Sequence, residues 1–126
     1  MTRVPTVEIP RDQWLPYFND LSKRYSGWGV TLEVLGPGDL GDQPAAQGPP
    51  LQGLSYEKAG SEAGDILVEV GDAGFPYEVH HVDHPRRVLV TDSDPGAETD
   101  IQIESEEGVV TLVRLRRRPE LPPAQA

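Results

Sequence analysis

The sequence contains no cysteine, which excludes disulfide bonds, thiol catalysis and thiolate metal sites. It has no apolar run near the ~20 residues that cross a bilayer as a helix. Its first residues, Met1-Thr2-Arg3-Val4-Pro5, lack the apolar segment of a secretory signal. A P-loop, an H-E-x-x-H pattern and a complete nucleophile elbow are also missing. The sequence therefore favours a cytoplasmic protein that is not an enzyme.

Negative charge dominates what is present, with 21 Asp and Glu against 11 Lys and Arg and a net charge of −10. The excess lies in residues 31–107, which hold seventeen acids and three bases. Such a surface repels phosphate groups, so we expect neither a nucleic-acid partner nor an anionic membrane partner. The simplest consequence is a well-solvated surface. An alternative is an acidic inhibitor that mimics DNA.

The N-terminal part carries apolar residues at helical spacing. Asp12 can cap this helix, Pro16 falls in its first turn, and Gly27 ends it. The pattern predicts an amphipathic helix over residues 12–26. Its apolar stripe consists of Trp14, Phe18, Leu21 and Tyr25.

After Gly27 the period of the apolar residues changes to two, which is typical of half-buried strands. Turn residues separate seven such segments between residues 28 and 116. We predict a mainly β (α+β) fold, in which the N-terminal helix precedes about seven antiparallel strands in a barrel or half-barrel. Beyond the first strand, which starts at Trp28, the segments are Leu51–Lys58, Asp65–Val70, Tyr77–Val82, Arg87–Thr91, Thr99–Ser105 and Val109–Arg116.

The inward positions of these elements form the expected core. They are Trp14, Phe18, Leu21, Trp28, Val30, Leu32, Val34, Leu54, Ile66, Val68, Val79, Val88, Val90, Ile101, Ile103, Leu112 and Val113. Gly53 lies inside a predicted strand, where a glycine indicates a bulge or a close backbone approach.

The domain boundaries follow from composition. We predict an extended arm over residues 1–10, a single globular domain over residues 11–118 and a disordered tail over residues 119–126. Residues 36–50 read as a long flexible loop because eight of the fifteen are Gly or Pro. This loop begins with a G-x-G-x-x-G match, but the prolines after it prevent the helix that a dinucleotide site needs. We therefore expect no cofactor.

All three histidines lie in one segment, His80-His81-Val82-Asp83-His84. On a strand, His81 and Asp83 share a face, and a turn at His84-Pro85 can bring His84 back toward them. Imidazole and carboxylate are common metal ligands, so His81, Asp83 and His84 form a candidate ligand or metal site. The alternative is a set of exposed or hydrogen-bonded strand histidines.

One set of short segments is distributed along most of the chain. It consists of Ile9–Trp14, Gly27–Gly36, Asp39-Leu40-Gly41, Pro50–Tyr56, Ile103-Glu104-Ser105, Gly108 and Thr111-Leu112. Together these segments resemble a family of short bacterial proteins known as a domain of unknown function. The likeness covers roughly residues 8–116, and the resemblance implies a bacterial, single-domain, cytosolic protein without supplying an activity, a cofactor or a catalytic residue.

These observations favour a non-catalytic binding or accessory module of the bacterial cytosol. Its partner would be another protein or a second copy that pairs with an exposed strand edge. The alternative is a metal- or small-ligand-binding protein, or an enzyme, that uses the segment from His80 to His84. The DNA-mimic inhibitor is the third hypothesis.

Overall fold

The computed structural model describes residues 6–36, 42–58, 64–72, 74–92 and 98–116. Within these ranges one helix precedes most of an eight-stranded antiparallel sheet, so the predicted fold class is confirmed. The helix is α1 (Trp14–Arg24), and a 3-10 turn, Arg11–Gln13, leads into it. The strands are β1 (Thr6–Ile9), β2 (Gly29–Leu35), β3 (Asp42–Tyr56), β4 (Ile66–Asp72), β5 (Phe75–Val82), β6 (Pro85–Asp92), β7 (Glu98–Ser105) and β8 (Val110–Arg116).

The strand order is β1-β6-β7-β8-β2-β3-β4-β5, so β1 and β5 form the two edges of the sheet. The sheet does not close, and it is a half-barrel or open sheet. Among the described residues, no helix has both the length and the apolar character to cross a membrane.

The helix lies against β3 through its apolar stripe, in which Trp14, Phe18 and Leu21 are buried. Asp12 does not cap it, because Asp12 belongs to the 3-10 turn and no side chain caps the start of α1. After the helix the chain turns at Gly27, whose φ of +85° favours glycine.

Gly53 marks the place where the helix approaches the sheet. A Cβ atom there would lie 3.3 Å from the Ser22 Oγ atom of α1. The pairing of β3 with β4 also shifts register between Leu51 and Gly53. Both features predicted from a glycine inside a strand, the bulge and the close approach, are therefore present.

The segment predicted as a flexible loop, residues 36–50, differs in the structure. Residues 42–50 form the first part of β3 and pair with β2 from Leu35↔Asp42 to Gly29↔Pro50. Within the described ranges, this part of β3 pairs only with β2, and its second part pairs with β4. A strand with one open side tolerates proline, because a missing N–H costs a hydrogen bond only on a paired side. Residues 37–41 of the glycine-rich motif lie outside the described residues.

The predicted arm contains a strand that the periodicity did not reveal. Residues 6–9 form β1, which pairs with β6 from Thr6↔Thr91 to Ile9↔Val88. The predicted tail, residues 119–126, lies outside the described residues.

The buried apolar residues form one cluster that includes most of the expected core. Two expectations were wrong: Val79 is 61% exposed, and Leu112 is partly buried and does not belong to the cluster. Trp28 and Val34 are also only partly buried, but they pack against the cluster. On β5 the register with β4 turns His80 and Val82 toward the core and Val79 outward. Four further core residues were not predicted, namely Leu51, Val70, Val82 and Leu115.

Candidate functional site

The β4–β5 hairpin places two aspartates and a histidine at one end of the sheet. Its register pairs Leu67 with His81 and Ile66 with Val82. Continued by one residue, this register puts Asp65 opposite Asp83. Because side chains alternate along a strand, both carboxylates share a face with His81.

The donor atoms of these three residues lie close together. Asp65 Oδ2 is 3.0 Å from His81 Nε2, which is 3.8 Å from Asp83 Oδ1, and one donor atom of each lies within 4.8 Å of the others. Two donors bound to one ion at ~2.1 Å are ~3.0 Å apart at a right angle and ~3.4 Å apart in a tetrahedron. The two separations measured from His81 Nε2, 3.0 and 3.8 Å, bracket these values.

The exposed fraction of the side chain decreases from Asp83 through His81 to Asp65. The side chain of Asp83 is 65% exposed, that of His81 38% and that of Asp65 15%. The site is therefore open to solvent on the Asp83 side and supported by the protein on the Asp65 side.

The backbone fixes the orientation of Asp65. Its Oδ1 atom accepts a hydrogen bond from the His84 backbone N–H at 3.3 Å, which leaves Oδ2 directed at His81. Its carbonyl oxygen accepts a second bond, from the Glu57 N–H at 3.0 Å. Secondary hydrogen bonds of this kind orient carboxylate ligands in metal sites.

His84 contributes its backbone N–H to this arrangement, and its ring lies elsewhere. Its φ of +50° is the one positive value among the described residues other than glycine, a conformation that costs about 1–2 kcal/mol. The ring instead points toward Glu107, with 3.7 Å between Nδ1 and Oε1. Of the predicted site residues, the structure brings His81 and Asp83 together, while the His84 imidazole lies beside Glu107.

Asp65 is the member of the cluster that the sequence analysis missed, since it is sixteen residues from His81. The signal that could have found it is the hairpin turn, Gly71-Asp72-Ala73-Gly74. Counting the antiparallel register back from that turn, with one bulge between Val70 and Asp72, leads to Asp65.

His80 lies on the other face of β5 and is half-buried. Burial lowers the pKa of its imidazole below the ordinary value of 6.5, and the neighbouring His81 lowers that pKa further. Both effects favour the neutral form of the His80 imidazole.

A small cleft of about 180 Å³ lies where the end of β5 meets the β7–β8 turn. His80, His81 and Asp83 line one side of it, and Glu107 and Ser105 line the other. Ser105 is a turn residue, whose Oγ atom accepts bonds from the N–H groups of Glu107 and Val109. The cleft is smaller than the ~300–1,000 Å³ typical of drug-sized ligands, so it suits a few atoms beside His81 and Asp83.

Comparison with known proteins places the chain in a family. The model of the family described as "Family of unknown function (DUF5335)" matches residues 5–124. A protein of Aquifex aeolicus (strain VF5), which carries the name "Uncharacterized protein", is 32% identical over 117 residues. That alignment covers 93% of this chain and 97% of the relative, and no solved structure matches. This chain therefore belongs to the family of unknown function DUF5335.

Proposed function

We propose that this domain binds one divalent transition-metal ion through Asp65, His81 and Asp83, and that it acts as a non-catalytic binding module. The observation that carries the proposal is the approach of three donor atoms, one from each residue, to within 4.8 Å. The sequence offered two of them, and the hairpin register adds the third.

The chemistry of the donors indicates which ions fit. Ca²⁺ takes six to eight oxygen ligands, whereas one imidazole nitrogen with two carboxylates suits ions such as Zn²⁺ or Mn²⁺. Zn²⁺ binds more tightly than Mn²⁺ at most nitrogen and oxygen sites. Three protein ligands leave at least one position for water or for a small ligand from the cleft.

Charge also supports a cation at this place. Continuing the strand register sets Asp65 opposite Asp83, and like charges in directly opposite positions destabilise a sheet. The net charge of −10 adds to the attraction for a cation. A divalent ion between the two carboxylates offsets this repulsion.

The DNA-mimic hypothesis has less support, because several described acids already lie beside arginines. Glu33 lies 3.2 Å from Arg114, and Glu104 lies 2.8 Å from Arg86. Carboxylates neutralised in place do not imitate the charge of a DNA backbone.

The direct test is a zinc competition titration against a chromophoric chelator, with untagged full-length protein. The wild type is expected to bind one equivalent. His81→Gln should weaken binding by about a hundredfold or more because it removes the imidazole ligand. The matched control is His84→Gln, which changes an exposed histidine three residues away and should stay within about twofold of the wild type. Equal binding by both variants, or no binding by the wild type up to about 1 mM zinc, would contradict the proposal.

A further inference from the structure

The edge strand β5 presents an apolar surface at a free strand edge. Among the described residues, β5 pairs with β4 alone. Tyr77 is 73% exposed and Val79 is 61% exposed, and both lie on the outward face. The residues beside them, Pro76 and Glu78, are exposed as well. Residues 76–79 of β5 are therefore exposed on both faces of the strand.

An edge strand of this kind can pair with a copy of itself about a twofold axis. In an antiparallel pair the axis is perpendicular to the sheet, so directly opposite residues lie on the same face. The self-complementary registers are then those centred on one residue of β5, and they differ in which side chains meet.

We propose that two copies of this domain associate through β5 in the antiparallel register centred on Val79. In this register Val79 meets Val79, Tyr77 meets His81 of the second copy, and Glu78 meets His80 of the second copy. Each of the last two contacts occurs twice. The outward face gains a continuous row of apolar and aromatic groups, and the inward face gains two carboxylate–imidazole hydrogen bonds.

The neighbouring registers are less complementary. Centring the pair on Glu78 sets the two Glu78 carboxylates opposite each other, which like charges disfavour. Centring it on His80 sets the two imidazoles opposite each other and places Glu78 beside the apolar Val82. The Val79 register alone among the three gives Glu78 a hydrogen-bond donor.

Two residues of β5 restrict what else can pair with it. Pro76 lacks a backbone N–H, and an inward-facing charge such as Glu78 is a common device against unselective edge pairing. An incoming strand must therefore offer a donor opposite Glu78, and a second copy does so with His80. The opposite edge, β1, is shorter at four residues, although its Val7 is also exposed.

The test is sedimentation velocity of the full chain from about 1 μM to 1 mM, in about 0.15 M NaCl to screen the net negative charge. EDTA is included, so the result does not depend on the proposed metal site. The wild type is expected to dimerise. Val79→Lys should weaken the dimer by about tenfold or more, because it sets two ammonium groups at the twofold axis. The matched control is Val7→Lys, which adds the same charge to β1 and should leave dimerisation unchanged.

A charge swap tests the register itself. Glu78→His places imidazole opposite imidazole, and His80→Glu places carboxylate opposite carboxylate, so each should weaken the dimer by about tenfold. The double variant restores the pairs with their roles exchanged and should return to within about threefold of the wild type. Circular dichroism checks that each variant folds.

If His80→Glu does not fold, Glu78→Lys replaces the swap. It should weaken the dimer, because an ammonium group at that position cannot accept a hydrogen bond from His80 of the second copy. A monomeric wild type at every concentration, or a dimer that Val79→Lys leaves intact, would overturn the proposal.

Discussion

Asp65 joins the backbone of His84 to the ring of His81. Its Oδ1 atom accepts the His84 N–H at 3.3 Å, and its Oδ2 atom lies 3.0 Å from His81 Nε2. One carboxylate thus stabilises the β5–β6 turn and supplies a donor atom to the proposed metal site.

Two substitutions of Asp65 separate these roles. Asp65→Asn keeps an oxygen for the His84 N–H but loses the charge, so the free energy of unfolding should change by less than about 1 kcal/mol while zinc affinity falls by about tenfold or more. Asp65→Ala should also lower the free energy of unfolding by about 1–2 kcal/mol. Urea unfolding and zinc titration of both variants measure the difference. Equal losses of stability in the two variants would contradict the role of Asp65 in the turn, and an unchanged zinc affinity of Asp65→Asn would contradict its role in binding.

The turn residue His84 is expected to matter through its backbone alone. Because its φ is +50°, His84→Gly should change the free energy of unfolding by less than about 0.5 kcal/mol, while the β-branched His84→Val should lower it by about 1–2 kcal/mol. Zinc affinity of His84→Gly should stay within about twofold of the wild type. A large loss of zinc affinity in that variant would mean that the His84 ring is a ligand.

The contact between the helix and the sheet depends on Ser22. Its Oγ atom donates to the Leu54 carbonyl oxygen and accepts from the Leu54 N–H, each at 2.9 Å. Ser22→Ala leaves both backbone groups without this partner and should lower the free energy of unfolding by about 1–3 kcal/mol. The control, Ser26→Ala, changes an exposed serine and should cost less than about 0.5 kcal/mol in the same urea titration. Similar effects of the two substitutions would contradict the role of Ser22.

Glu104 makes the free energy of unfolding depend on pH in the acidic range. A hydrogen bond from Arg86, at 2.8 Å, holds the pKa of this carboxyl below its ordinary value of 4.5, and the charge of Arg87 lowers that pKa further. A lowered pKa in the folded state adds stability above pH 4.5 that is lost as the pH falls through the folded pKa. Glu104→Gln should therefore lower Tm at pH 7, and the difference in Tm between variant and wild type should shrink as the pH falls below 4.5. A difference in Tm that stays constant across that range would contradict this role.

The sequence predicted the elements whose periodicity is strong. The helical stripe of Trp14, Phe18 and Leu21 is buried, and the alternation of β2 continues into the core at Val30 and Leu32. The prediction was wrong for the first part of β3. The local Gly and Pro content indicates a loop, but pairing with β2 makes this segment a strand. Tertiary pairing of this kind has no local signal.

The candidate site could be predicted only in part, because one of its three residues depends on pairing between strands. Asp83 follows His81 by two residues and comes directly after β5, so their common face follows from continuing the strand period by one residue. Asp65 joins them through the β4–β5 register, which also depends on a bulge beside Gly71. The His84 ring lies beside Glu107 at a turn where φ is +50°, a conformation that the sequence Asp83-His84-Pro85 does not determine.

The most direct test of the metal site is a long-range ¹H–¹⁵N spectrum of the imidazole rings during a zinc titration. The chain has three histidines, so His→Gln variants assign every signal. With one equivalent of zinc, the Nε2 resonance of His81 should move to the range of a metal-bound nitrogen, while His80 and His84 keep metal-free shifts. If no imidazole nitrogen responds up to about 1 mM zinc, or if the nitrogen that responds belongs to His84, the proposed site is wrong.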